Sequence, residues 1–155
     1  MNPAFSRTAR SRTLAPSLLA LTLLVAPCLA AAAELERRAA PEDAEVYIIS
    51  PRDGDTVSSP VTVRFGLRGM GVTPAGSDLP HTGHHHLLID VSELPDSSMP
   101  IPADDRHIHF GKGQTETTLE LAPGEHTLQL LLGDFRHVPH DAPVASSVVR
   151  ITVKP

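Results

Sequence analysis

The chain has 155 residues, nine of them histidine, with one cysteine and no tryptophan. From Glu34 onward ten Lys and Arg stand against 18 Asp and Glu, a net charge of −8. That surface repels phosphate backbones and anionic lipid, so nucleic acid and membrane surfaces are excluded as expected partners. The length after the N-terminal segment suits one ordinary domain with one core.

Residues 1–33 carry a secretory signal pattern. Arg7, Arg10 and Arg12 form a basic start, Leu14 to Ala26 is a short apolar stretch, and Leu29-Ala30-Ala31-Ala32-Ala33 offers small-x-small cleavage sites. The apolar stretch is interrupted by Pro16 and bounded by Pro27, and is too short to span a bilayer comfortably. Cleavage near Ala33 is expected, which leaves a periplasmic or secreted protein with no membrane insertion. The single cysteine, Cys28, lies inside this segment, and Pro27 before it fits badly with lipoprotein processing. Once it is removed, the chain has no disulfide, thiolate ligand or cysteine nucleophile.

Residues 34–44 are charged and Ala-rich and read as a flexible linker. From residue 45 to 155 the pattern is that of a β-sandwich: short alternating runs separated by Gly, Pro and Asp turns. Val46–Ile49 is the first predicted strand, and Asp53-Gly54 supplies the turn after it. Val61, Val63, Phe65 and Leu67 alternate with Thr62, Arg64 and Gly66 in the second strand. Gly69 to Pro80 is a long loop. The third strand, His84–Val91, is apolar on both faces and is expected at the centre of a sheet: His85, Leu87, Ile89 and Val91 share one face; His84, His86, Leu88 and Asp90 share the other. Pro95, Pro100 and Pro102 keep Glu93–Asp105 irregular. His107–Phe110, Thr115–Leu121, His126–Leu132 and Val149–Val153 complete an all-β, Ig-like antiparallel sandwich of about seven strands.

All nine histidines fall between His81 and His140. Imidazole is the commonest protein ligand for transition metals. His84 and His86 lie on one strand face, roughly 6–7 Å apart at Cα, a spacing that suits two ligands of one ion. The same pattern repeats at His107 and His109, just before the Gly111-Lys112-Gly113 turn. The expected ligands are His84, His86 and His109, with His137 and His140 in reserve from a loop shaped by Pro139. His85 points the opposite way and is expected to be semi-buried and bonded to backbone. His126 suits a core edge or a ligand equally, and His81 is expected to be solvated. Without cysteine, and with only Met70 and Met99 after residue 33, the donors suit a divalent transition metal, zinc or copper, rather than a soft-donor Cu(I) site. Asp90, Asp104, Asp105, Asp134 and Asp141 are candidate acceptors for the distal ring nitrogens.

Gly83-His84-His85-His86-Leu87-Leu88-Ile89-Asp90, His109-Phe110-Gly111-Lys112-Gly113 and Gly124-Glu125-His126-Thr127-Leu128 resemble an uncharacterised bacterial exported domain, one of the families of unknown function. The resemblance runs from about Glu45 to Lys154 and implies a secreted or periplasmic β-domain with no established activity. A likeness to copper/zinc superoxide dismutases covers His107–Gly111 only, lacks their cysteines and zinc loop, and is set aside as chance.

Three functions follow. The first is a periplasmic metal-binding module. The second is an Ig-like envelope interaction module, with structural or pH-sensing histidines and Phe135, Val138 and Val144 as a docking patch for a protein partner. The third, a metal-dependent enzyme with Glu116, Glu125 or Asp134 as general base, finds no catalytic motif to support it.

Overall fold

The computed structural model describes residues 36–155; the predicted signal segment and Cys28 lie outside them. Nine strands occur among the described residues: β1 (Glu45–Ser50), β2 (Asp55–Val57), β3 (Val61–Arg68), β4 (Gly71–Val72), β5 (Thr82–Ile89), β6 (His107–His109), β7 (Glu116–Leu119), β8 (Gly124–Gly133) and β9 (Val149–Val153). One sheet has the order β1-β3-β7; the other runs β2-β9-β8-β5-β4, with β6 also paired to β5. The central orders β1-β3-β7 and β9-β8-β5 are those of an immunoglobulin-like sandwich, in which strands 1, 2 and 5 of the seven-strand plan face strands 3, 6 and 7.

The seven predicted strands are present, and two short ones are added. β2 pairs with β9 and β4 pairs with β5, both in parallel, so the sandwich is not wholly antiparallel. Strands of three and two residues carry no legible alternation, and only the neighbouring strand decides that they pair.

Alternation places Val61, Val63 and Phe65 of β3 inward, against Leu87 and Ile89 of β5, Leu128, Leu130 and Leu132 of β8, and Ile151 and Val153 of β9. Each fully buried leucine contributes about 1.5–3 kcal/mol of apolar transfer. β5 is central as expected: β8 flanks one side, and β4 and β6 share the other. Its outer face is also covered. Leu88, Ile101 and Leu131 form a small second core beneath the irregular segments that follow β5 and β8. The histidines of β5 therefore sit under a covered surface and not on an open sheet.

Residues 36–44 do not behave as the expected tether. Ala39 bridges Asp141, the Arg37 guanidinium donates to the His140 carbonyl at 2.6 Å, and Ala40 and Ala44 pack on the main core. The apolar Ala side chains and the arginine donors both find partners on the domain, which holds the segment against it.

Candidate metal centre

His84 and His86 alternate onto the outer face of β5 with both rings fully buried. β6 pairs antiparallel with β5 so that His109 lies directly opposite His86. His137 reaches the same place from the loop after β8. The six ring-centre separations among His84, His86, His109 and His137 all fall between 4.7 and 6.0 Å. Four imidazoles from three separated segments thus share one pocket.

Two glycines make room for it. Gly133 lies opposite His84 across the β5–β8 pair, and a Cβ there would come within 2.8 Å of His86 Cε1. At Gly111 a Cβ would collide with the His109 ring.

His137 adopts a left-handed backbone, φ 69°, uncommon for a non-glycine residue. Asp134 builds the turn that holds it. The Asp134 carbonyl accepts the His137 N–H at 2.9 Å, and its buried carboxylate accepts the N–H groups of Arg136 (2.8 Å) and Val138 (3.0 Å). The His137 carbonyl accepts the Ile101 N–H at 2.8 Å, which joins the two covering segments beside the cluster.

Both ring nitrogens of His84 and of His86 are buried without a hydrogen-bond partner among the described residues. A buried polar group left unpaired costs about 1–3 kcal/mol, so this arrangement stands out energetically. Burial, with the neighbouring His137 and His109 rings adding to it, lowers the His84 pKa to about 4. Burial, then His84 and His109, lowers that of His86 to about 2. His109, on the exposed side, is lowered in the same way, by burial and then by His137. These imidazoles are neutral at pH 7, the form that ligates metals.

His84, His109 and His137 each offer a nitrogen within 4.8 Å of the others. Two nitrogens at about 2.0–2.1 Å from a tetrahedral zinc are separated by about 3.3–3.4 Å. Closure onto an ion needs shifts below an ångström, within reach of side-chain rotation.

The other histidines are elsewhere. His140 is buried, its Nδ1 has no partner among the described residues, and its ring is not among the four that converge. His107 shares the outer face of β6 with His109, but its Nδ1 bonds to Asp104 at 2.8 Å. His126 Nδ1 bonds to Asp90 at 2.8 Å and its Nε2 to the Ala122 carbonyl at 2.9 Å, which makes it a strut between the end of β5 and the start of β8. His85 is more buried than expected: its ring is 5.3 Å from that of Phe65, and neither nitrogen has a partner among the described residues. His81 is exposed as expected.

The predicted aspartate acceptors do not bond the distal nitrogens of the cluster. Asp134 is committed to its turn and to Arg136, Asp90 and Asp104 to His126 and His107, and Asp141 lies 3.5 Å from Arg37. As general-base candidates, Glu116 pairs with Arg64 on the other sheet and Glu125 lies opposite Thr152 near the far end of β8. Val138 and Val144 are buried, so the predicted docking patch is not an exposed surface. What the sequence underplayed was Asp134, whose Asp-x-x-His spacing before His137 is a turn signal.

No curated protein matches the chain. Among solved structures, the fibronectin(III)-like modules of Clostridium thermocellum CbhA are similar at 15% identity and a TM-score of 0.37, over 70% of this chain and 95% of that one. A family model, domain of unknown function DUF4399, matches residues 63–154, a span that contains all nine histidines, and the chain belongs to that family.

Proposed function

We propose that this is an exported, periplasmic metal-binding domain that holds a divalent transition-metal ion, zinc or copper, through His84, His109 and His137, with His86 completing the set. One observation carries the reading: four imidazoles converge, and the nitrogens of the two most buried rings have no partner among the described residues. Imidazole donors without thiolate suit zinc and copper, and an ion would satisfy the nitrogens that the fold leaves unpaired. Binding is favoured over catalysis because Glu116, Glu125 and Asp134 are each engaged or distant. Export rests on the signal pattern of residues 1–33 and the thiol-free chain beyond Cys28.

Calorimetric titration of signal-free, untagged protein with zinc and with copper tests the reading. Stoichiometric uptake that disappears in the His84→Ala/His86→Ala double variant is expected. No uptake by the unaltered protein would refute it.

A further inference from the structure

The segment before β1 embraces the loop that supplies His137, and does so on both sides of that residue. Arg37 donates from Nη2 to the His140 carbonyl at 2.6 Å and from Nε to the Pro139 carbonyl at 3.4 Å, and its Nη1 lies 3.5 Å from the Asp141 carboxylate. The Asp141 N–H donates to the Arg38 carbonyl at 2.6 Å. On the other side of His137, Arg136 donates to the Glu36 carbonyl while holding the buried Asp134 carboxylate at 3.3 Å. The guanidinium carbons of Arg38 and Arg136 lie 4.8 and 5.1 Å from the centre of the Phe135 ring. Residues Phe135, Arg136, Pro139, His140 and Asp141 are thus all held by positions 36–39.

His137 needs that support. A non-glycine residue in the left-handed region costs on the order of 1–3 kcal/mol and persists only where its surroundings over-determine it. The Asp134 turn sets the conformation from inside the loop, and the strap fixes the loop's return path past Pro139. His84 and His86 sit on a central strand and need no such aid, while His137 is the donor with no strand beneath it.

We propose that Arg37 is a positioning residue for the metal site: by clamping the Pro139 and His140 carbonyls it holds His137 in reach of His84 and His109. The proposal rests on the metal-binding reading. Partners that orient ligands typically carry a 10–100-fold effect on metal affinity. Arg37 lies at the rim and not in either apolar core, so its removal leaves the sandwich packed.

The test uses cobalt(II) as a spectroscopic probe with wild type, Arg37→Ala, Arg37→Lys and His137→Ala proteins. Arg37→Ala should weaken cobalt binding about 10–100-fold and shift its visible spectrum to that of His137→Ala, and Arg37→Lys should recover part of both. In metal-free protein, amide exchange at His137 and Val138 should speed up in Arg37→Ala while core amides stay protected. Wild-type affinity, spectrum and exchange in Arg37→Ala would overturn the proposal. If wild type takes up no cobalt, the metal reading fails, and faster loop exchange in Arg37→Ala then shows that the clamp orders the loop for another purpose.

Discussion

His86 and His109 face each other directly across the antiparallel β5–β6 pair, with ring centres 5.1 Å apart and planes inclined by 29°. Neither His86 nitrogen has a hydrogen-bond partner among the described residues. Replacing such a group by an apolar one of similar size is nearly neutral or stabilising, because the unpaired polar atoms disappear. His86→Leu should therefore leave metal-free stability unchanged or raise it, while abolishing much of the stabilisation that metal confers. For an ion at a hundred times its Kd that stabilisation is about 2.7 kcal/mol. Denaturant melts with and without zinc read both quantities; a metal-free loss above about 2 kcal/mol would show that ring packing, not ligation, keeps histidine here.

Gly133 and Gly111 predict a second pair of outcomes. A methyl group at Gly133 pushes against His86 and the Ile101 side chain, with contacts at 2.8 and 3.3 Å. Gly133→Ala should weaken metal binding and cost about 1–3 kcal/mol, as overpacking does. Gly111→Ala presses first on the ring of His109, on the exposed side, so affinity should fall with little loss of stability. Titration together with thermal melts separates the two; equal effects on both measures at both positions would contradict the assignment.

Acid should unfold the metal-free domain through its histidines. Burial lowers the pKa of His84 and of His85 to about 4 in the fold, against about 6.5 in the unfolded chain. The unfolded state binds more protons between these values, so stability is full above pH 6.5 and is lost as pH falls toward 4. Each group accounts for a loss on the order of 3 kcal/mol over that window. His126 acts in the opposite sense. Its pKa is raised: burial pulls it down, but the bonds to Asp90 and Ala122 outweigh that, so its contribution is present below pH 6.5 and fades as pH rises through the higher value. Denaturant midpoints measured from pH 4 to 8 should fall on the acid side, and less steeply in His85→Leu. A flat profile would contradict the burial of neutral imidazoles.

Asp90 ties β5 to β8. Its carboxylate accepts the Thr127 N–H at 2.8 Å and bonds His126 Nδ1, from a backbone with φ 55°. Asp90→Ala should cost about 1–3 kcal/mol and remove the His126 contribution that is present below pH 6.5, leaving metal affinity unchanged because His126 stands outside the cluster. Loss of metal binding in this variant would place His126 or Asp90 in the site.

Much of the fold was legible in the sequence because seven strands carry period-two alternation, and His84 and His86 could be put on one face of a central strand from spacing alone. β2 and β4 were not, since Asp55–Val57 and Gly71–Val72 become strands only through parallel partners. The convergence of the four rings depends on non-local choices. Register sets His109 opposite His86 across the 17 residues between β5 and β6, and the local turn sends His107 to Asp104 instead. His137 and His140 share one loop and one proline; only the Asp134 turn and the left-handed backbone decide that His137 is the one that reaches the others. Spacing carries no information about such a turn's direction.

In the proposed metal centre, histidine nitrogens of this cluster bind one metal ion. X-ray absorption at the zinc or copper edge of the stoichiometrically loaded protein tests it most directly. Three or four nitrogen neighbours at about 2.0–2.1 Å are expected, with imidazole scattering that diminishes in His137→Ala and is lost in His84→Ala/His86→Ala. A shell dominated by oxygen, or one unchanged in those variants, would contradict it.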